Sequence, residues 1–273
     1  MTQELFVIGD PIEQSLSPTI HSLWIEAAGI DAHYRRLHVP TGEAPQYLEK
    51  LAADGTKGIN VTMPHKTPAL EASVSASLAA TGIGAANTLT ALPEGGWHAD
   101  NTDAPGLLNA LSLAGVDDIA SKTILIIGAG GAARAAVYAL HQAGASLIIL
   151  NRTASRAADL AESLTKGAAR SGGLSGLGAE TREIDLVVNT AGAGHAGETL
   201  DLPDGDGRLF LDISYGTAVT SQLDAARQKG WRTADGLGML VAQAAESFNI
   251  WFGIRPDLEA ALRVCRAAVE ARQ

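Results

Sequence analysis

The chain has 273 residues, 46% of them apolar, 18% charged and 4% aromatic, with 30 glycines. It is long enough for one large domain or two ordinary ones and too apolar for a disordered chain. Its formal charge of −10 argues against nucleic acid as a partner and for plain solubility.

In chain order, "LFVIG" reads as a buried strand, and "SPTIHSLWIEAAG" as a helix with Ser17 as N-cap, Pro18 in the first turn and Gly29 at its end. "HYRRLHV" reads as a strand, "GEAPQYLEKLAA" as a helix, "KGINVT" as a strand and "PALEASVSASLAATG" as one helix. "AANTLTAL" and "GGWHA" read as a hairpin turned at "PEGG". Past "DNTD", strands "TILIIG", "SLIIL", "IDLVVN" and "LFLDIS" alternate with helices at 130–143 and 153–165. Such alternation implies parallel sheets and an α/β fold. The Gly/Ser-rich "KGAARSGGLSGLG" (166–178) is expected to be a surface loop, and everything from "DGLGML" on to be helical. A boundary near residue 102 predicts a substrate domain over 1–102 and a dinucleotide domain over 103–236, with terminal helices over 237–273.

The single cysteine, Cys265, can form neither an internal disulfide nor a zinc site, which suits a reducing compartment. The seven histidines are not paired at ligand spacing, so no metal is expected. The start "MTQELFVIGD" lacks a basic region and cleavage site, and the apolar "TILIIGAGGAARAAVYAL" is broken by glycines and Arg134. A cytoplasmic protein without membrane attachment is expected. A homodimer is the commonest state for a small enzyme.

"TILIIGAGGAARAA" carries G-x-G-x-x-A at Gly128, Gly130 and Ala133, between a strand and a helix. Gly128 permits the turn, Gly130 lets a pyrophosphate approach the backbone, and Ala133 allows close helix packing. The next strand ends in Asn151 and Arg152, where an NAD site places an acid. Arg152 and Arg156 suit a 2′-phosphate instead, so the cofactor is expected to be NADP. In the other half, Ser15 and Ser17 can donate to a small carboxylate, and Asn87, Asn101 and Asp103 fall at strand ends. "NVTMPHK" sets His65 and Lys66 side by side.

"GDPIEQSLSP", "NVTMPHK", "AANTL", "DNTD", "GAGGAARAA", "NRTASRA" and "DGLGMLVAQAAESFNIW", in this order, resemble the shikimate dehydrogenase family. The resemblance implies an N-terminal α/β substrate domain, a Rossmann domain and C-terminal helices returning to the first. It implies reversible NADP-linked reduction of 3-dehydroshikimate to shikimate, a step of aromatic amino acid and chorismate biosynthesis. By the same resemblance Lys66 and Asp103 are the catalytic pair, and Ser15 and Ser17 hold the substrate carboxylate. Thr62, Asn87, Gln243 and Tyr215 line the substrate pocket. Cofactor contacts are implied at Gly131, Ala132, Thr153, Ile213 and Gly236 besides the residues above. His65 is expected to be exposed and unused.

Four features depart from the family pattern: Gln14 before the first serine, Ser22 after His21, the loop "DISYGTAVTSQL", and "NTAGAG" in place of "NAT". They keep quinate or another shikimate-like polyol acid as the alternative substrate. A non-catalytic NADP-binding sensor would be expected to lose Lys66 or Asp103, and both are present.

Overall fold

A computed structural model describes residues 2–180, 183–191 and 199–272. The chain divides into two compact units, Met1–Gly106 with Leu240–Cys265, and Leu107–Met239 with Arg266–Gln273. The passage from one to the other falls inside helix α5 (Asp103–Leu113).

The first unit is built on a mixed sheet of β1 (Gln3–Gly9), β2 (Ala32–His38), β3 (Gly58–Val61), β4 (Ser75–Ala76), β5 (Thr88–Ala91) and β6 (Trp97–Asp100). Its order is β2-β1-β3-β5-β6-β4, with β5 antiparallel to both β3 and β6. Helices α1 (Ser17–Ala27), α2 (Ala44–Ala53), α3 (Lys66–Glu71) and α4 (Leu78–Ile83) connect the strands. Ile8, Val39, Leu48, Ile59, Leu89 and Trp97 form the core of one face, each fully or almost fully buried. Burying such a side chain contributes roughly 1.5–3 kcal/mol. The Trp97 indole N–H is satisfied by the Leu48 carbonyl at 2.9 Å.

Register decides where polar residues gather. Asn60 on β3 pairs with Thr88 on β5, and Thr88 with Asp100 on β6. The C-terminal ends of β3 and β6 therefore lie beside the start of β5. The segments that follow or precede these ends carry Thr62, Lys66, Asn87, Asn101 and Asp103.

The second unit holds an all-parallel sheet of β7 (Thr123–Ile127), β8 (Ser146–Asn151), β9 (Arg170–Gly173), β10 (Leu186–Asn189), β11 (Leu209–Asp212) and β12 (Arg232–Ala234). The order β12-β11-β10-β7-β8-β9 is the doubly wound arrangement, with its switch point between β7 and β10. Helices α6 (Gly131–Gln142), α7 (Ala154–Thr165), α8 (Leu177–Glu180) and α9 (Thr217–Gln228) join these strands. Helices α10 (Leu237–Phe252) and α11 (Leu258–Glu270) follow, and the Leu240–Cys265 stretch across them belongs to the first unit. Cys265 is a fully buried free thiol whose pKa burial raises to about 11. Among the described residues no helix is long and apolar enough to cross a membrane, and no group of ligating side chains could hold a metal.

Four local expectations are corrected. Residues 170–173 of the expected loop are a strand, paired in parallel with β8 from Ile148 to Asn151. An edge strand bonds through its backbone on one side, so "RSGG" needs no apolar alternation. The single helix expected over 68–82 is two short helices around β4. The Val74 and Ser77 amides donate to the Trp97 and Ala99 carbonyls at 2.9 Å each, and the Ser77 hydroxyl caps α4 by accepting from Ala80 N–H. Ser17 is the first residue of α1 instead of its cap. Finally, His65 is only 1% exposed, because its Nε2 lies 2.7 Å from the Val39 carbonyl at the end of β2.

Candidate active site

Lys66 opens α3, directly after the turn that leaves β3, and Asp103 opens α5, just past β6. The ends of β3 and β6 thus bring two helix starts together. Lys66 Nζ donates to Asp103 Oδ2 at 2.6 Å, with the two side chains 15% and 6% exposed. Asn87 Nδ2 donates to Asp103 Oδ1 at 3.0 Å. Asp103 is acceptor-only as a carboxylate, and both of its oxygens are engaged.

The orientation of Asn87 follows from proton bookkeeping. The Thr102 amide can only donate, and it lies 2.7 Å from Asn87 Oδ1. The carboxamide therefore turns Nδ2 toward Asp103 Oδ1, Thr102 Oγ1 (2.9 Å) and Gln243 Oε1 (3.2 Å). Gln243 in turn donates from Nε2 to the Leu240 carbonyl at 2.8 Å, which leaves Oε1 facing Asn87. Gly106 makes room for this approach, since a methyl there would stand 2.8 Å from Gln243 Cβ.

A second layer of buried hydroxyls underlies these groups. Ser247 Oγ lies 2.8 Å from Thr88 Oγ1 and 3.1 Å from Thr102 Oγ1, and accepts from Asn60 Nδ2 at 3.0 Å. Asn60 Oδ1 accepts from Tyr34 at 2.6 Å. Thr88, Thr102, Ser247 and Asn60 were not among the residues singled out from sequence as site residues. Their signal was present in hindsight only as polar residues on otherwise apolar strands and on the apolar α10.

Ser15 lies between β1 and α1, and Ser17 opens α1. The Ser17 amide donates to Ser15 Oγ at 3.3 Å, so the Ser15 hydroxyl proton stays free for another acceptor. Thr62 is half-buried after β3, its amide bonded to the Ile8 carbonyl at 2.9 Å. Gly9 is required beside it, because a methyl there would meet Thr62 Cγ2 at 2.4 Å. The first unit therefore contains the expected pair, both serines, Thr62, Asn87 and Gln243.

The second unit contains the expected cofactor residues and Tyr215. Gly128 has φ +119°, and a methyl on it would stand 2.4 Å from Thr190 Oγ1 at the switch point. At Gly130, by contrast, a methyl would meet nothing within 4 Å. This open space lies at the start of α6, which has no side-chain cap, so its first amides and its dipole suit an anion. Ala133 is buried in the core beneath. At the end of β8, Asn151 Nδ2 bonds the Thr153 carbonyl at 3.0 Å, and Arg152 and Arg156 are exposed. The Gly236 amide donates to the Ser214 carbonyl at 2.8 Å, and a methyl on Gly236 would fall 1.8 Å from the Ile213 carbonyl oxygen. Only glycine fits there. Tyr215 is half-buried between β11 and α9. These residues fit a dinucleotide with an added phosphate: open space at a helix start, two cations and no acid at the end of the second strand. Of "NTAGAG", positions 192–194 lie outside the described residues.

Family models match almost the whole chain. The shikimate dehydrogenase substrate binding domain covers residues 7–89, shikimate / quinate 5-dehydrogenase covers 110–237, and the shikimate 5'-dehydrogenase C-terminal domain covers 236–266. Shikimate dehydrogenase (NADP(+)) of Hyphomonas neptunium is 46% identical over 271 residues, 99% of each chain. That of Methylobacterium radiotolerans is 40% identical, covering 96% of this chain and 95% of its own. The crystal structure of shikimate 5-dehydrogenase from Thermus thermophilus, in complex with NADP(H) and shikimate, superposes with a TM-score of 0.86. It is 33% identical and covers 98% of this chain and 100% of its own. The chain belongs to the shikimate dehydrogenase family.

Proposed function

We propose that the chain catalyses the reversible NADP-linked reduction of 3-dehydroshikimate to shikimate, with Lys66 and Asp103 as its catalytic pair. The observation that carries this reading is the 2.6 Å Lys66–Asp103 contact, buried among Asn87, Thr102 and Gln243. NADPH supplies a hydride to the ketone carbon. The chain's own residues handle the oxygen. Lys66 has three N–H groups, of which Asp103 takes one, so the ammonium can place another on the carbonyl oxygen and stabilise the charge that develops there. Asp103 holds the Lys66 ammonium in line, and Asn87 fixes the carboxylate from its other side. As hydride arrives the ammonium gives that proton to the oxygen, leaving the hydroxyl and a neutral amine that solvent reprotonates; in the oxidative direction the amine takes the hydroxyl proton as hydride leaves.

Ser15 and Ser17 receive the substrate carboxylate, while Thr62, Gln243 and Tyr215 contact the ring substituents. The backbone at Gly130, Gly131 and Ala132 receives the pyrophosphate. Arg152 and Arg156 face the 2′-phosphate with Asn151 and Thr153, and Ile213 and Gly236 line the nicotinamide end. We place the reaction in the cytoplasm, where a lone buried thiol such as Cys265 needs no partner.

The test is product identification. Incubating 3-dehydroshikimate with NADPH and the protein should give shikimate by NMR, one per NADPH consumed. Consumption of NADPH without shikimate would overturn the reading.

A further inference from the structure

The loop from Asp10 to Leu16 is strapped down by one face of β2. Arg36 and His38 are two residues apart on that strand and so point to the same side. Arg36 donates to the Ser15 carbonyl from Nε at 2.9 Å and from Nη2 at 2.5 Å. His38 Nε2 lies 3.1 Å from Asp10 Oδ1, and the Thr41 amide and hydroxyl donate to Asp10 Oδ2 at 3.0 and 2.8 Å. Both ends of the loop are therefore fixed from outside it.

The Arg36 grip engages the Ser15 carbonyl and leaves the proton of its hydroxyl free. A planar guanidinium whose Nε–H and Nη2–H converge on one oxygen constrains direction as well as distance. Neighbouring Arg35 points to the other face and pairs with Glu4 at 3.2 Å. Among the described residues Arg36 forms no such ion pair, so its guanidinium stands at the Ser15 carbonyl with no carboxylate within salt-bridge distance.

We propose that Arg36 is a positioning residue for the substrate carboxylate. It holds the Ser15 backbone so that the Ser15 and Ser17 hydroxyls meet the anion, and it supplies positive potential there. The proposal rests on the reading that these serines receive the carboxylate of shikimate.

The experiment compares Arg36→Ala, Arg36→Lys and Arg35→Ala in the full chain. With shikimate varied at saturating NADP⁺, Arg36→Ala should raise the KM for shikimate about 10-fold, the size of one lost charge-assisted hydrogen bond. The kcat and the KM for NADP⁺ should move less than about 2-fold on the same scale. Arg36→Lys keeps the charge without the fork and should recover only part of the loss. Arg35→Ala removes the same charge from the opposite face and should leave the KM for shikimate unchanged. An unchanged KM in Arg36→Ala, or an equal rise in Arg35→Ala, would overturn the proposal. Hydrogen exchange without substrate separates this from the functional reading: amides at 12–17 should exchange faster in Arg36→Ala than in the parent. Equal exchange would remove the clamp, whereas failure of the parent to turn over shikimate would remove the functional reading.

Discussion

Lys66 Nζ stands 2.6 Å from Asp103 Oδ2, and the second Asp103 oxygen is taken by Asn87 at 3.0 Å. The carboxylate is thus committed on both sides, and within the pair the Lys66 ammonium alone keeps protons to offer. Lys66→Met should lower kcat by about 10²–10³, the usual cost of losing a donor aimed at developing charge. The KM for NADP⁺ should hardly change. Asp103→Asn should also lower kcat, since an amide can present N–H groups to the ammonium in place of the carboxylate. Steady-state rates with circular dichroism as a folding control check both. A kcat within 3-fold of the parent in Lys66→Met would deny it the role (~0.6 kcal/mol).

The two glycines of the turn after β7 should fail differently. Gly130→Ala adds a methyl to open space and should fold with an unchanged Tm, yet weaken NADP⁺ binding about 10-fold or more by occupying the pyrophosphate's approach. Gly128→Ala forces an alanine to φ +119° and against Thr190, and should lower Tm as well. Calorimetric titration and thermal melts distinguish the two. Equal Tm losses would contradict the assignment of open space at Gly130.

Arg152 and Arg156 are exposed at the end of β8, where a 2′-phosphate would be the anion to bind. Removing one charge-assisted contact costs roughly 1.5–3 kcal/mol, or about 10- to 150-fold. Arg152→Ala should therefore reduce the preference for NADP⁺ over NAD⁺ by that range, mostly by raising the KM for NADP⁺. Parallel kinetics with both nucleotides measure it, and a preserved ratio would point to other residues.

His21 offers a pH test. Its imidazole is fully buried, stacked 4.1 Å from Tyr34, edge-on to Trp24 and packed against Phe248 and Trp251, with neither ring nitrogen in hydrogen-bonding geometry. Burial, opposed weakly by the nearby Asn60 amide, pushes its pKa down from 6.5 to about 3. The folded pKa lies below the unfolded one, so the unfolded chain binds the extra proton. This contribution to stability is complete above about pH 6.5 and is lost as pH falls toward 3, by up to about 1.4 kcal/mol per pH unit. His21→Phe should flatten the fall of Tm between pH 7 and 5. Asp10, held low first by the Thr41 hydroxyl and then by His38, is present in both proteins and cancels from the comparison. Identical slopes would contradict a neutral buried imidazole.

What could be read from sequence was what local chemistry imposes. A strand, G-x-G-x-x-A and a helix leave little freedom, so the phosphate cradle and the parallel sheet were legible. Lys66 and Asp103 were legible only through the order of motifs, because a lone lysine or aspartate carries no such signal. Side chains whose role depends on long-range register were not. Asn60, Thr88, Thr102 and Ser247 come together through β3, β5, the turn before α5 and α10, up to 187 residues apart in sequence. His65 is buried where exposure was expected because its partner, the Val39 carbonyl just past β2, is 26 residues away in sequence. β9 was hidden because an edge strand needs no pattern of its own.

The most direct measurement is initial rate at 340 nm with shikimate and quinate, each paired with NADP⁺ and NAD⁺. Turnover of shikimate with NADP⁺ well above the other three pairs is the predicted result. A preference for quinate or for NAD⁺ would contradict the assignment of the serine loop or of the arginines, respectively.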